Sequence, residues 1–177
     1  MLGLTISAIL MWMPPPPPPP ADAWAAAVAL WNEHPVPPEE KRFAINSAVS
    51  IAASRAAGAA FLKPNAHHGM RAIRMFSDAS TALQPLIARQ VPTDQSGLDA
   101  EVARCATMSL AYSFSVSDLA EIGRFAATPV GARFWHHYVG FDPNLELCYR
   151  NVLKLRASDA DLRAVGIDPS RVDPGQR

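Results

Sequence analysis

The chain has 177 residues, 49% of them hydrophobic and 18% charged, with 16 lysines and arginines balanced by 16 aspartates and glutamates. Zero net charge argues against nucleic acid as a partner and against a solvating, disordered chain. Two cysteines exclude a disulfide scaffold or a four-cysteine zinc site.

Leu2 to Met13 is an apolar run broken only by Thr5 and Ser7. It is shorter than the roughly 20 residues a membrane-spanning helix needs, and it fits the apolar core of a secretory signal peptide. The seven prolines Pro14–Pro20 have no amide donors, so they stop any helix and favour a polyproline II rod. Ala21-Asp22-Ala23 then supplies an A-x-A pattern for a signal peptidase. The expectation is a signal segment over 1–23, with a periplasmic or secreted chain beginning at Trp24. The apolar run lacks a preceding lysine or arginine, which leaves an uncut anchor and a cytosolic chain with an apolar tail as alternatives. No cysteine lies near the cut, which excludes a lipoprotein anchor.

Beyond the prolines, helical periods recur and strand-like alternation does not. The expected fold is all-α, a compact single-domain bundle of six or seven short helices over 24–165 without a sheet. Trp24, Val28 and Trp31 mark a first helix ending before Pro35. Pro38, Glu39 and Glu40 open a second, which runs to about Leu62 with Ile45, Ala48, Val49, Ala52, Ala56 and Ala59 on one face. Its small side chains predict close approach by a neighbour. A third helix spans about Ala66–Gln84, with Pro85 ending or kinking it and a further turn or two over Leu86–Val91. After the loop 92–97, Leu98, Val102, Cys105, Met108 and Tyr112 define a fourth.

Two short helices follow at 116–127 and 129–140, then one from Pro143 to about Arg156. In that one Asp142 is the cap, Leu145, Cys148, Val152 and Leu155 face inward, and Glu146 pairs with Arg150. Ser158 and Asp161 predict a capped final turn, and 166–177 reads as a loose tail.

Charge is segregated along the chain. Lys41–Arg89 holds seven basic residues and one acid, whereas Asp94–Glu146 holds seven acids and three arginines. The two halves should attract each other on folding. A basic face built from Arg71, Arg74 and Arg89 for anionic lipid is the functional alternative.

Phe114-Ser115-Val116-Ser117-Asp118-Leu119 carries the signature of a helix start. Ser115 is the N-cap, Asp118 returns its carboxylate to the Ser115 amide, and Phe114 and Leu119 take the positions of a hydrophobic staple. Further on, Thr128 caps a helix whose first residue is Pro129, and Gly131 in its first turn predicts a close contact or a sharp crossing. The run Tyr112–Leu119, followed by Phe125 and Thr128-Pro129-Val130-Gly131, resembles the uncharacterised bacterial family known as "domain of unknown function 2059". Members carry an aromatic, Phe-Thr/Ser, an acidic residue with Leu, and Phe-x-x-Ser-Pro-x-Gly at this spacing. The resemblance covers about residues 100–140. It implies a small, exported, helical protein and brings no activity, catalytic residue or cofactor with it. Thr128 and Ala126 depart from the usual serine and aromatic.

Ser115 and Asp118 are explained by capping, and no Gly-x-Ser-x-Gly elbow exists, so no catalytic residues are expected. His67-His68 and His136-His137 are adjacent pairs, which point about 100° apart on a helix and cannot clasp one metal. No metal or cofactor is therefore expected. Cys105 and Cys148 lie on apolar helix faces and are either a disulfide, in an oxidising compartment, or two buried thiols. The expected function is a non-enzymatic periplasmic or envelope protein that contacts an unidentified protein partner, with no nucleic acid and no span in the mature chain. The alternative is a metal or small-molecule carrier with a pocket near Trp135, His136 and His137.

Overall fold

The structure, a computed structural model, describes residues 17–62, 69–140 and 143–176, with side chains described outside 136–144 and 176. The described residues form eight α-helices and two 3-10 turns, with no strand. The helices are α1 (Ala21–Glu33), α2 (Pro38–Phe61), α3 (Met70–Ala88) and α4 (Ser96–Ser113). After them come α5 (Val116–Ala126), α6 (Pro129–Gly140), α7 (Pro143–Leu153) and α8 (Asp159–Ala164), then the turns Pro169–Arg171 and Pro174–Gln176. The all-α reading holds, and the capped final turn is counted as an eighth helix. The apolar run Leu2–Met13, the pair His67-His68 and the cap Asp142 lie outside the described residues.

Two apolar clusters share α2. Its first half, with Ala44 and Ile45, joins α1, α4, α5, α6 and α7 in one core. Its second half, with Val49, Ala52, Ala53, Ala56 and Ala57, joins α3, α8 and the C-terminal turns in the other. Alanine projects only a methyl, so α3 lies directly along the stripe, as the small face predicts. Where the two helices meet, the Ser54 and Ser80 hydroxyls bond at 3.0 Å.

Two helix faces and one helix end show what periodicity does not give. On α1 the buried positions are Ala23, Ala27 and Leu30, with Trp24 and Trp31 packed at the margin. The small residues let α4 and α5 come close, and the indoles, too large for that gap, cover its edge. On α4 the inner face continues through Ala106, Thr107 and Ala111, leaving Met108 and Tyr112 exposed for the same reason. In α3 Pro85 sits inside the helix, which runs on to Ala88. Leu83 and Ile87, both fully buried, anchor the turns on either side of it and offset the backbone bond that proline removes.

The tail is not loose. Gly166, at φ 78°, ends α8; the Ile167 N–H bonds the Leu162 carbonyl at 2.9 Å and the Gly166 N–H bonds the Arg163 carbonyl at 3.0 Å. This closure turns Ile167 and Val172 into the second core, where both are buried. The polar composition concealed two core residues placed on either side of an Asp168-capped turn.

At the other terminus α1 begins at Ala21, three residues before the expected start, with the Trp24 N–H donating to the Pro20 carbonyl at 2.9 Å. The Tyr112 hydroxyl donates to the Pro17 carbonyl at 2.9 Å and ties the proline segment to the end of α4.

Tyr149 on α7 is the largest fully buried side chain, at 1% exposure. Burial, and then the Asp99 carboxylate, push its phenol up to about 12. An unfolded tyrosine titrates near 10, so between about pH 10 and 12 the unfolded chain releases a proton that the folded chain keeps. Stability should therefore fall across that window by roughly 2–3 kcal/mol in total. Urea titrations from pH 9 upward check this: the wild-type midpoint should drop beyond pH 10, and Tyr149→Phe should flatten the drop.

Candidate functional site

The α4–α5–α6 segment forms an elbow whose two joints are specified by local bonds. At the first, the Ser115 Oγ accepts from the Asp118 N–H at 3.2 Å and the Ser115 N–H donates to Asp118 Oδ2 at 3.0 Å. The Ser115 hydroxyl also donates to the same carboxylate at 2.6 Å. These donors hold the Asp118 pKa below its ordinary value. Both halves of the expected capping box are present, which commits Ser115 and Asp118 to starting α5. Leu119 enters the first core, while Phe114 stays exposed at the joint.

The second joint is tighter. The Phe125 carbonyl receives the Thr128 N–H at 2.9 Å and its hydroxyl at 2.8 Å, and Thr128 Oγ1 accepts the Gly131 N–H at 2.9 Å. A Cβ at Gly131 would overlap the carbonyl oxygen and carbon of Phe125 and come within 2.9 Å of Thr128 Oγ1. Of the two readings of Gly131, the close contact is present, and it is with the end of the preceding helix. Pro129, the first residue of α6, has no N–H to be left unpaired there.

The elbow presents an aromatic edge. The Phe125 and Phe134 rings meet edge to face with centroids 5.7 Å apart. Val130 lies beyond them, and all three are exposed, at 45%, 54% and 60%. Apolar side chains grouped in this way are the composition of a contact surface. Cys148 of α7, in the first core, and Cys105 of α4, packed against it, are disulfide-bonded, with Cα atoms 5.7 Å apart. Of the two readings left open for the cysteines, this is the bonded one.

Trp135 is buried in the first core, its Nε1 donating to the His34 carbonyl at 3.1 Å, with the two rings 6.2 Å apart. The side chains of His136 and His137 lie outside the described residues, so the expected pocket has only a packed tryptophan at its described end. Among the described residues, no three His, Cys, Asp or Glu side chains group as metal ligands would. None of the described helices is long and apolar enough to cross a membrane.

The charge halves meet in one cross-helix ion pair, Lys41 Nζ to Asp99 Oδ2 at 2.5 Å, joining the start of α2 to α4. Glu146 and Arg150 are not among the ion pairs of the described residues. Arg89 lies about 22 Å along α3 from Arg74 at 1.5 Å per residue, so the three arginines proposed for lipid do not form one patch. A different set converges instead. Arg55, Arg150, Lys154 and Arg156 line a cleft of about 340 Å³ between α2, the end of α7 and the C-terminal turn. Residues 95 or more apart meet there, and sequence spacing carries no signal for that; only Arg150 and Lys154, one turn apart, hint at it.

No family model, curated protein or solved structure matches this chain.

Two substitutions test the elbow. Ser115→Ala should lower stability by about 1 kcal/mol through loss of the cap. Gly131→Ala should cost more, on the order of 3 kcal/mol, because a backbone carbonyl must move. Denaturant midpoints at fixed slope measure both, and equal effects would refute the account of Gly131.

Proposed function

We propose that the chain is an exported, non-enzymatic helical domain that works by contact with a protein partner in the periplasm or cell envelope. The observation carrying this reading is the exposed aromatic edge of Phe125, Val130 and Phe134 on the rigid elbow. Aromatic side chains held on capped helices lose little freedom on binding, so their apolar area is available for association. The export component draws support from the Cys105–Cys148 bond, since such bonds persist in oxidising compartments and are rare in the cytosol. Membership of the "domain of unknown function 2059" family is proposed on the residues of the elbow: Phe125, Thr128, Pro129 and Gly131 each have a structural task at the joint.

Signal cleavage after Ala23 has a timing condition. Ala23 is 5% exposed within the first turn of α1, so a peptidase would have to act before that helix docks. The carrier reading finds an open cleft beside α7 rather than at Trp135.

Export is tested by expressing the chain in a Gram-negative host and sequencing the amino terminus recovered from each fraction. Periplasmic protein beginning at Trp24 supports it, and cytosolic protein beginning at Met1 with two alkylatable thiols removes it. The contact surface is tested by crosslinking in the envelope fraction, comparing wild type with the double variant Phe125→Ser, Phe134→Ser. A crosslinked partner should be lost in the variant while its helical circular dichroism is retained; an unchanged crosslink sinks the assignment.

A further inference from the structure

The cleft between α2, α7 and the C-terminal turn is lined by four cations and, among the described residues, by no acidic side chain; Arg156 also borders the adjoining cleft of Asp159 and Asp161. None of Arg55, Arg150, Lys154 and Arg156 takes part in the ion pairs of the described residues. Like charges around one opening repel, and the packing of α2, the end of α7 and the C-terminal turn nevertheless brings them to one cleft. Arg150 and Lys154 are one turn apart at the end of α7, where the Lys154 N–H bonds the Arg150 carbonyl at 3.0 Å. Lys154 then adopts φ 48°, a left-handed conformation that a residue with a side chain rarely takes. Gln90 grips the backbone of Arg156 from both sides, donating to its carbonyl at 2.7 Å and accepting its N–H at 3.4 Å. The left-handed turn at Lys154 and the Gln90 bonds to the Arg156 backbone therefore fix the path of the segment that lines the cleft opposite Arg55 on α2.

The lining also includes the apolar side chains of Ala52 and Leu155 and the amide of Asn151. A volume of about 340 Å³ is that of a small-molecule site. One carboxylate would leave most of the positive charge uncompensated. A phosphate monoester brings two charges and three terminal oxygens, which arginine forks bind in pairs. We propose that this cleft binds a phosphomonoester group, presented either by a soluble ester or by the headgroup of an anionic lipid. The site shares no residue with the elbow and does not depend on the protein-contact reading.

The test is calorimetric titration of the full chain with phenyl phosphate, and with benzoate as a singly charged control of similar shape. Phenyl phosphate should bind at least ten-fold more tightly than benzoate. The double variant Arg55→Gln, Arg150→Gln should weaken it at least ten-fold. Lys154→Gly removes a charge and relieves the left-handed backbone, so it should melt no lower than wild type and still bind several-fold more weakly. That variant separates loss of the site from loss of the fold. Vesicles of phosphatidic acid that bind the chain and are displaced by phenyl phosphate identify a lipid headgroup, whereas ester binding without vesicle binding identifies a soluble ligand. No saturable binding at millimolar phenyl phosphate, equal affinity for benzoate, or unchanged affinity in the variants overturns the proposal.

Discussion

The methyl stripe along α2 is the constraint on which the architecture rests. This helix of 24 residues spans about 36 Å at 1.5 Å per residue and, among the described residues, is the one element whose buried side chains enter both cores. Alanine loses no side-chain entropy in a helix, which suits a long central element. Each methyl buries little area, however, so the stabilisation comes from how closely α3 approaches. The larger side chains stand on the opposing helix, where Leu83 and Ile87 are fully buried against the stripe. A larger residue at Ala53 or Ala57 would force α3 outward and loosen the docking of α8 and the C-terminal turns, which α3 also supports.

What was legible in the sequence was local. Capping acts between residues three apart, so Ser115 with Asp118 and Ser158 with Asp161 were identifiable, and both boxes formed. The Thr128-Pro129 start and the anomaly of Gly131 were visible for the same reason. Periodicity found the helices, but several of the large residues that mark α1 and α4 lie off their buried faces. When two helices pack closely, alanine occupies the centre of the contact and large residues are displaced to its rim. Pro85 and the C-terminal residues show a similar limit: whether a helix survives a proline, or Ile167 and Val172 are buried, depends on the surface that meets them. The cleft lay furthest from view, since Arg55 and Arg150 become neighbours only when α2 and α7 pack.

Polar chemistry in this molecule sits mainly at joints. Three carboxylates, Asp94, Asp118 and Asp168, have their pKa values lowered by serines two or three residues on or back, each at the start of a helix or turn. The long-range polar contacts are few, and the Lys41–Asp99 pair is exposed enough that it contributes about 0–1 kcal/mol. The charge segregation therefore adds little to holding the cores together.

The Cys105–Cys148 bond has a topological consequence. The two cysteines are 43 residues apart, and both α5 and α6 lie between them. When denaturant dissolves the two cores, this stretch persists as a covalent ring whose ends stay together. In the chain-entropy description, closing a ring of that size removes about 4 kcal/mol of freedom from the denatured ensemble. The aromatic edge thus belongs to the one part of the polypeptide that never becomes an open coil, whereas the alanine-lined lobe formed with α3 has no such tether.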